Sequence, residues 1–257
     1  MGRGLLLLML TALLAGAGPA CGQSPARESP SGRFAGWATA VIAADWRDGR
    51  GKAIEAFDNA RRDVTAGLLE AGLPRQDLVG YSLRPDAAEP VTAAQALGGV
   101  AEATGRATRG CLLYFTSHGS PEGIVFGPDA TLTPAAMANL VRRWCGTRPT
   151  VVIVSACYSG VFVNALAAPN RMVLTAASRE RTSFGCGADE TWPWFDGCVI
   201  ETLPAATDFL ALAAGARACV ARKEAEAGIA IPSEPQLFVG AEMQLRLPTL
   251  RFQRSDP

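Results

Sequence analysis

Residues 37–44, 78–83, 111–116, 150–155 and 172–176 form short apolar, β-branched runs, and helical patterns at 53–71, 92–104 and 134–144 fall between them. A strand that is apolar on both faces must be covered on both faces. The alternation therefore predicts an α/β domain: a mostly parallel central sheet of about six strands with helices on both sides. A late helix over 205–227 and a last strand over 235–242 complete it. In open parallel sheets, loops and helix N-termini converge at the carboxyl ends of the strands, and chemistry is expected there.

Ahead of this pattern stand Arg3, an apolar run over 5–14, and small residues ending at Cys21. This reads as a secretory signal over 1–21, since the run is about half of the ~20 residues a spanning helix needs. Cys21 admits a second reading as a lipid-anchor site, although Gly18-Pro19-Ala20-Cys21 lacks a large aliphatic residue three positions before the cysteine. Export to the periplasm or cell envelope is expected either way. Residues 22–36, rich in Ser, Pro, Gly and Arg, read as a linker, and the domain is expected over 37–250.

The 24 basic and 24 acidic residues are spread along the chain, leaving no basic stripe for nucleic acid. Seven cysteines in an exported chain permit disulfides. Cys111, opening an apolar strand, reads as a plain core thiol, which leaves Cys145, Cys186, Cys198 and Cys219 with three pairings open.

His118 is the only histidine, so any imidazole-assisted chemistry must use it. It lies in Ser117-His118-Gly119-Ser120, directly after an expected strand, where the plainer reading is a capping turn residue. After the next strand comes Ser155-Ala156-Cys157-Tyr158-Ser159-Gly160. A thiol inside a strand would be a small core residue. One followed at once by a Ser-Gly turn, within reach of an imidazole on the same sheet edge, has the setting of a nucleophile. Gly119, with no side chain, can bring its N–H close to a carbonyl oxygen and, with the N–H of Cys157, form an oxyanion hole. No Gly-x-Ser-x-Gly elbow, zinc-ligand spacing or phosphate loop is present, so neither a metal nor another cofactor is expected.

The paired strand-Ser-His-Gly and strand-Ser-Ala-Cys-x-Ser-Gly motifs resemble those of the legumain-like cysteine peptidases, a family that shares a clan with caspases, gingipains, clostripain and the catalytic subunit of the GPI transamidase. The resemblance extends through Phe57-Asp58-Asn59-Ala60 and through the segment 175–186, and is closest to bacterial, envelope-directed members. It implies a caspase-like three-layer sandwich and a cysteine endopeptidase acting on peptide or protein substrates. His118 would activate Cys157, Cys157 would form an acyl-enzyme thioester, and the amides of Gly119 and Cys157 would hold the oxyanion.

By the same resemblance Asp58 and Asn59 orient the histidine or line the substrate pocket, with a polar helix start as the plain alternative. Ser155 stands where legumains carry an acidic residue, so a preference for asparagine is not carried over. Ser178 and Arg179 open a loop to Asp196 that flanks the cleft, its charges reading equally as substrate contacts or as a solvated surface. Trp192, Trp194 and Phe195 read as an aromatic wall or as apolar cover. Three other functions stay open: a transpeptidase of the same chemistry, a non-catalytic binding or scaffold module of the cell envelope, and a disulfide-stabilised structural lipoprotein in which Cys157 pairs with another cysteine.

Overall fold

The computed structural model describes residues 1–2 and 32–253; the expected signal segment with Cys21, and the linker as far as residue 31, lie outside the described residues. Strand β1 (Trp37–Ala43) leads to helix α1 (Ala56–Glu70), β2 (Leu78–Ser82), α2 (Ala93–Arg106) and β3 (Gly110–Thr116). A small antiparallel ribbon follows, formed by β4 (Gly119–Ser120), β5 (Gly123–Val125) and β6 (Thr131–Leu132). Then come α3 (Pro134–Cys145), β7 (Thr150–Ser155), α4 (Val161–Leu166) and β8 (Arg171–Thr175). The chain continues through α5 (Trp194–Thr202), α6 (Phe209–Glu226), β9 (Gln236–Val239) and α7 (Ala241–Arg246).

The central sheet has six strands in the order β2-β1-β3-β7-β8-β9, parallel except for β9. Its four inner strands, β1, β3, β7 and β8, are buried on both faces, as their unbroken apolar runs require, while the edge strands β2 and β9 are half-buried. Val41, Leu112, Tyr114, Ile153 and Leu174 pack with Val64 and Leu68 of α1, Val199 of α5 and Leu212 of α6. Their alternates Ile42, Leu113, Phe115, Val152 and Val173 meet Val100 of α2, Val141 of α3 and Phe162 of α4. The expected three-layer α/β architecture is the one observed.

The differences from the sequence expectations have local causes. Helix α1 starts later than residue 53 because Ala53 bridges Arg47, and Ile54 N–H donates to Trp46 O at 2.8 Å. Helix α5 was not expected at all. The late helix begins at Phe209 because the Asp208 side chain caps it, accepting from Ala211 N–H at 2.9 Å. The last strand stops at Val239, since Gly240 turns the chain against the Ala168 and Pro169 carbonyls and α7 follows. Cys111 is no free core thiol: it bonds Cys145 of α3, and Cys198 of α5 bonds Cys219 of α6, at Cα separations of 6.1 and 5.6 Å. Cys157 and Cys186 are the free cysteines among the described residues. The reading in which Cys157 is locked in a disulfide is thereby overturned.

Packing also begins ahead of Trp37, within the segment expected as linker. Phe34 is 1% exposed and meets the rings of Trp37, Phe209 and Phe252 at centroid distances of 5.7, 5.8 and 6.0 Å. Residues near both chain ends thus share one aromatic cluster. Phe34→Ala is expected to lower the unfolding free energy by about 3–5 kcal/mol, read as a shift of the urea midpoint at unchanged slope.

Candidate active site

Strands β3 and β7 are hydrogen-bonded neighbours in parallel register, Thr116 opposite Ser155. The ladder runs one step further, Ser117 N–H donating to Ser155 O at 3.0 Å. His118 and Cys157 each lie two residues beyond that paired level, so the sheet delivers both to the same edge. Gly119 then passes directly over the backbone of Cys157. A Cβ there would overlap the Cys157 carbonyl oxygen, which gives Gly119 a steric reason besides any use of its N–H.

The imidazole is fixed from three directions. Its Nε2 lies 2.7 Å from the carbonyl oxygen of Arg47. A carbonyl only accepts, so Nε2 carries the proton and Nδ1 is the basic nitrogen. The Phe57 ring stands edge-on at 5.0 Å. Val125 N–H donates to His118 O at 2.9 Å, tying the histidine backbone to the ribbon. The acceptor is itself clamped: buried Asp45 accepts from the Arg47 guanidinium at 2.9 Å and from Trp46 N–H at 2.8 Å. The same guanidinium donates to the carbonyls of Gly127 and Pro128 at 3.1 and 3.2 Å.

Cys157 is partly exposed, and its Sγ accepts from Ser183 N–H at 3.3 Å. Tyr158, the next residue, holds φ at 56°, an uncommon conformation for a bulky residue, and its N–H donates to Arg181 O at 2.7 Å. Buried Ser159 accepts from Ala177 N–H at 3.1 Å. A Cβ on Gly160 would overlap the backbone of Ser178 and Arg179, so the loop after β8 presses onto this turn. The strained turn holds the thiol at the surface rather than inside the strand. No hydrogen bond joins imidazole and thiol in this structure, and in substrate-free sites such bonds are commonly long.

Residues 104–202, which include both groups, match the model of the Peptidase C13 family. No curated protein matches the chain. Among solved structures it is similar to caspase-1 from Spodoptera frugiperda, with a TM-score of 0.60 at 12% identity over 84% of this chain and 91% of that one. The chain thus has a caspase-like fold, and within it the segment that carries both groups is similar to the Peptidase C13 family.

The other residues singled out in the sequence fall at varied distances from His118 and Cys157. Asp58 sits in a charged cleft of about 710 Å³ beside edge strand β2, with Glu55, Arg61, Ser82 and Arg84. Burial alone would push its carboxyl up, but the Arg61 guanidinium at 2.7 Å holds it below the usual range. Asn59 donates to Thr191 O at 3.1 Å and so joins α1 to the loop before α5. Neither bonds the histidine; their neighbour Phe57 touches it. Ser178 N–H is taken by Ser233 O at 2.8 Å, while the Arg179 side chain is exposed. Phe195 is buried cover under the sheet, and Trp192 donates from its indole to Asp63 at 2.7 Å. Ser155 is 3% exposed with its hydroxyl turned to Asp196, so it is not a substrate contact at the surface.

Two functional neighbours carried no clear sequence signal. Cys186 packs against Ile54, Ala56 and Phe57. Burial, and then the nearby Cys157, Asp196 and Glu190, push its thiol well above the usual range, so it stays protonated. Asp196, expected at the end of the loop that opens with Ser178 and Arg179, is completely buried in the first turn of α5. Its carboxylate accepts from Tyr114 Oη at 2.5 Å, Thr116 Oγ1 at 2.8 Å and Ser155 Oγ at 2.7 Å. Burial pushes it up to about 6 despite these three donors.

A raised carboxyl makes a signed prediction. Between the unfolded value of 3.8 and the folded value of about 6, the folded chain keeps a proton that the unfolded chain has lost. Asp196 therefore costs roughly 3 kcal/mol at pH 7, and that cost disappears as pH falls through 6 toward 4. Urea unfolding of wild type and Asp196→Asn at pH 7 and pH 5 is expected to show wild type gaining on the variant at the lower pH.

Proposed function

We infer that the peptidase is an endopeptidase that cleaves peptide bonds through a Cys157–His118 dyad. The observation that carries this reading is the register-matched placement of one thiol and one imidazole on neighbouring strand ends, the imidazole held by Arg47 O as the tautomer with a basic Nδ1. Nδ1 takes the Cys157 proton, and the thiolate attacks the scissile carbonyl carbon. Negative charge collects on the carbonyl oxygen, toward which the N–H groups of Gly119 and Cys157 are assigned. The imidazolium returns its proton to the leaving amine as the tetrahedral intermediate collapses to a thioester. A water, deprotonated by Nδ1, releases the acid and regenerates the thiol.

Residues 178–183 press onto the nucleophile turn, which supports a role for Ser178 and Arg179 in seating the peptide main chain or a side chain. Export to the periplasm or cell envelope is proposed from the N-terminal pattern, and the two disulfides agree with an oxidising compartment. A thioester opened by an amine instead of water would make the same site a transpeptidase.

A mixture of peptide acyloxymethyl ketones bearing acidic, basic and amide side chains tests the dyad, with intact and peptide mass spectrometry as the readout. Labelling is expected on Cys157 alone in wild type, absent in Cys157→Ala, and slowed on the order of 10²-fold or more in His118→Ala. A folded wild-type protein whose Cys157 reacts only after denaturation would leave a caspase-like scaffold without turnover.

A further inference from the structure

Asp196 is in an unusual position for a carboxylate. It has no exposed surface and, among the described residues, no arginine or lysine as ion-pair partner; three hydroxyl groups donate to it, and it lies in the first turn of α5. Two of those hydroxyls, from Thr116 and Ser155, converge on the single oxygen Oδ2 at 2.8 and 2.7 Å. Thr116 and Ser155 are register partners across β3 and β7. Each stands two residues before a reacting group, Thr116 before His118 and Ser155 before Cys157. One carboxylate oxygen thus bridges the ends of the two strands that carry the dyad, from the face that α5 covers.

We propose that Asp196 is a positioning residue for catalysis: its carboxylate ties the His118 strand end to the Cys157 strand end and so sets the alignment of imidazole and thiol. The proposal rests on the dyad reading given above. An ionised carboxylate has only acceptor sites, so all three hydroxyls must point toward it, and each hydroxyl is thereby fixed in one rotamer. A protonated carboxyl has one donor, and at least one of the three hydroxyls must then turn away or accept instead. For stability alone an apolar set replacing Asp196 together with its three hydroxyl partners would serve as well, because a buried charge is costly even when hydrogen-bonded. The geometry gives the charged residue a use beyond packing.

The titratable groups that sense this site are few. Tyr114, from β3, is itself kept neutral by burial and by the adjacent carboxylate. Cys186, in the loop ahead of α5, is kept protonated. On the helices packed against α5, Asp63 of α1 is bonded by the Trp192 indole, and Lys223 of α6 is paired with Glu201 of α5 at 3.1 Å. Asp58, Arg61 and Arg62 of α1 are paired among themselves. With the carboxyl raised to about 6 by burial, its proton uptake falls within the range where a paired thiolate is active.

The test needs no peptide substrate. The rate of Cys157 alkylation by iodoacetamide is followed from pH 4 to 9 by peptide mass spectrometry, because it reports the thiolate fraction directly. Wild type is compared with Asp196→Asn, Thr116→Val, Ser155→Ala and His118→Ala, and thermal unfolding confirms that each folds. Wild type is expected to lose reactivity toward low pH with a steeper than one-proton slope, as Asp196 and the thiolate take up protons together. Asp196→Asn is expected to give a shallower curve whose midpoint lies at higher pH than that of wild type. Thr116→Val and Ser155→Ala, each cutting one arm, are expected to move the midpoint the same way by a smaller amount.

Midpoints unchanged from wild type in all three variants, with only the melting temperature altered, would overturn the proposal and leave Asp196 a structural residue. A wild-type Cys157 that titrates like a free thiol and ignores His118→Ala would instead overturn the dyad, and the positioning role with it.

Discussion

The parallel ladder between β3 and β7 is the constraint on which the site depends. Backbone hydrogen bonds set its register, with Thr116 opposite Ser155, and a slip of one residue would turn every apolar side chain of a strand to the other face. Both faces here are buried against helices, so a slip would break up two cores at once. The energy that holds the register is therefore spread over the sheet, while its consequence is local: His118 and Cys157 leave neighbouring strands at one level. The imidazole and the thiol inherit their placement from the packing of the sheet.

Beyond the last paired residues, placement passes from the sheet to side chains and single carbonyls. Arg47 O sets the tautomer of His118, and Asp45 holds Arg47. Asp196 joins the strand ends below, and Ser183 N–H meets the thiol from the loop after β8. Except for Asp45 with Arg47, two residues apart, these contacts reach across large sequence separations, and two depend on buried carboxylates, Asp45 at 4% exposure and Asp196 at none. Two disulfides fasten the helices on either face, Cys111–Cys145 to α3 and Cys198–Cys219 between α5 and α6. Each is worth about 3–4 kcal/mol by loop-closure arithmetic, the same order as the cost of ionised Asp196. Stability added around the site is comparable to what the site gives up, a common relation between a functional group and its scaffold.

The sheet was legible in the sequence because its physical cause is local: continuous apolar runs need cover on both faces, and the strands found match those runs closely. His118 and Cys157 were legible for a different reason, the uniqueness of one and the turn after the other. Helix α5 was missed because Trp194–Thr202 is apolar almost all round, with Phe195, Cys198 and Val199 buried, so no 3.6-residue stripe sets it apart from a loop rich in aromatics. The ribbon of β4 to β6 was missed because strands of two or three residues are too short to show alternation. Pairing of the cysteines depends on which helix lies over which strand, and a side-chain pattern along one strand says nothing of that.

The hidden half of the site shows where such reading stops. Arg47 acts through its carbonyl, which every residue possesses, so its identity carries no trace of the role. Asp196 follows Trp192, Trp194 and Phe195 in what reads as a loop, and an acidic residue in a loop is ordinarily solvated. What marks Asp196 is the convergence of Tyr114, Thr116 and Ser155, three hydroxyls on two different strands. Within β3, Tyr114 and Thr116 are two apart and so share a face, and Ser155 joins that face through the β3–β7 register. Three hydroxyls on one buried face of an otherwise apolar sheet need a common acceptor. That is the one inference from strand periodicity that could have pointed to a carboxylate beneath the dyad, and it requires the register before it can be drawn.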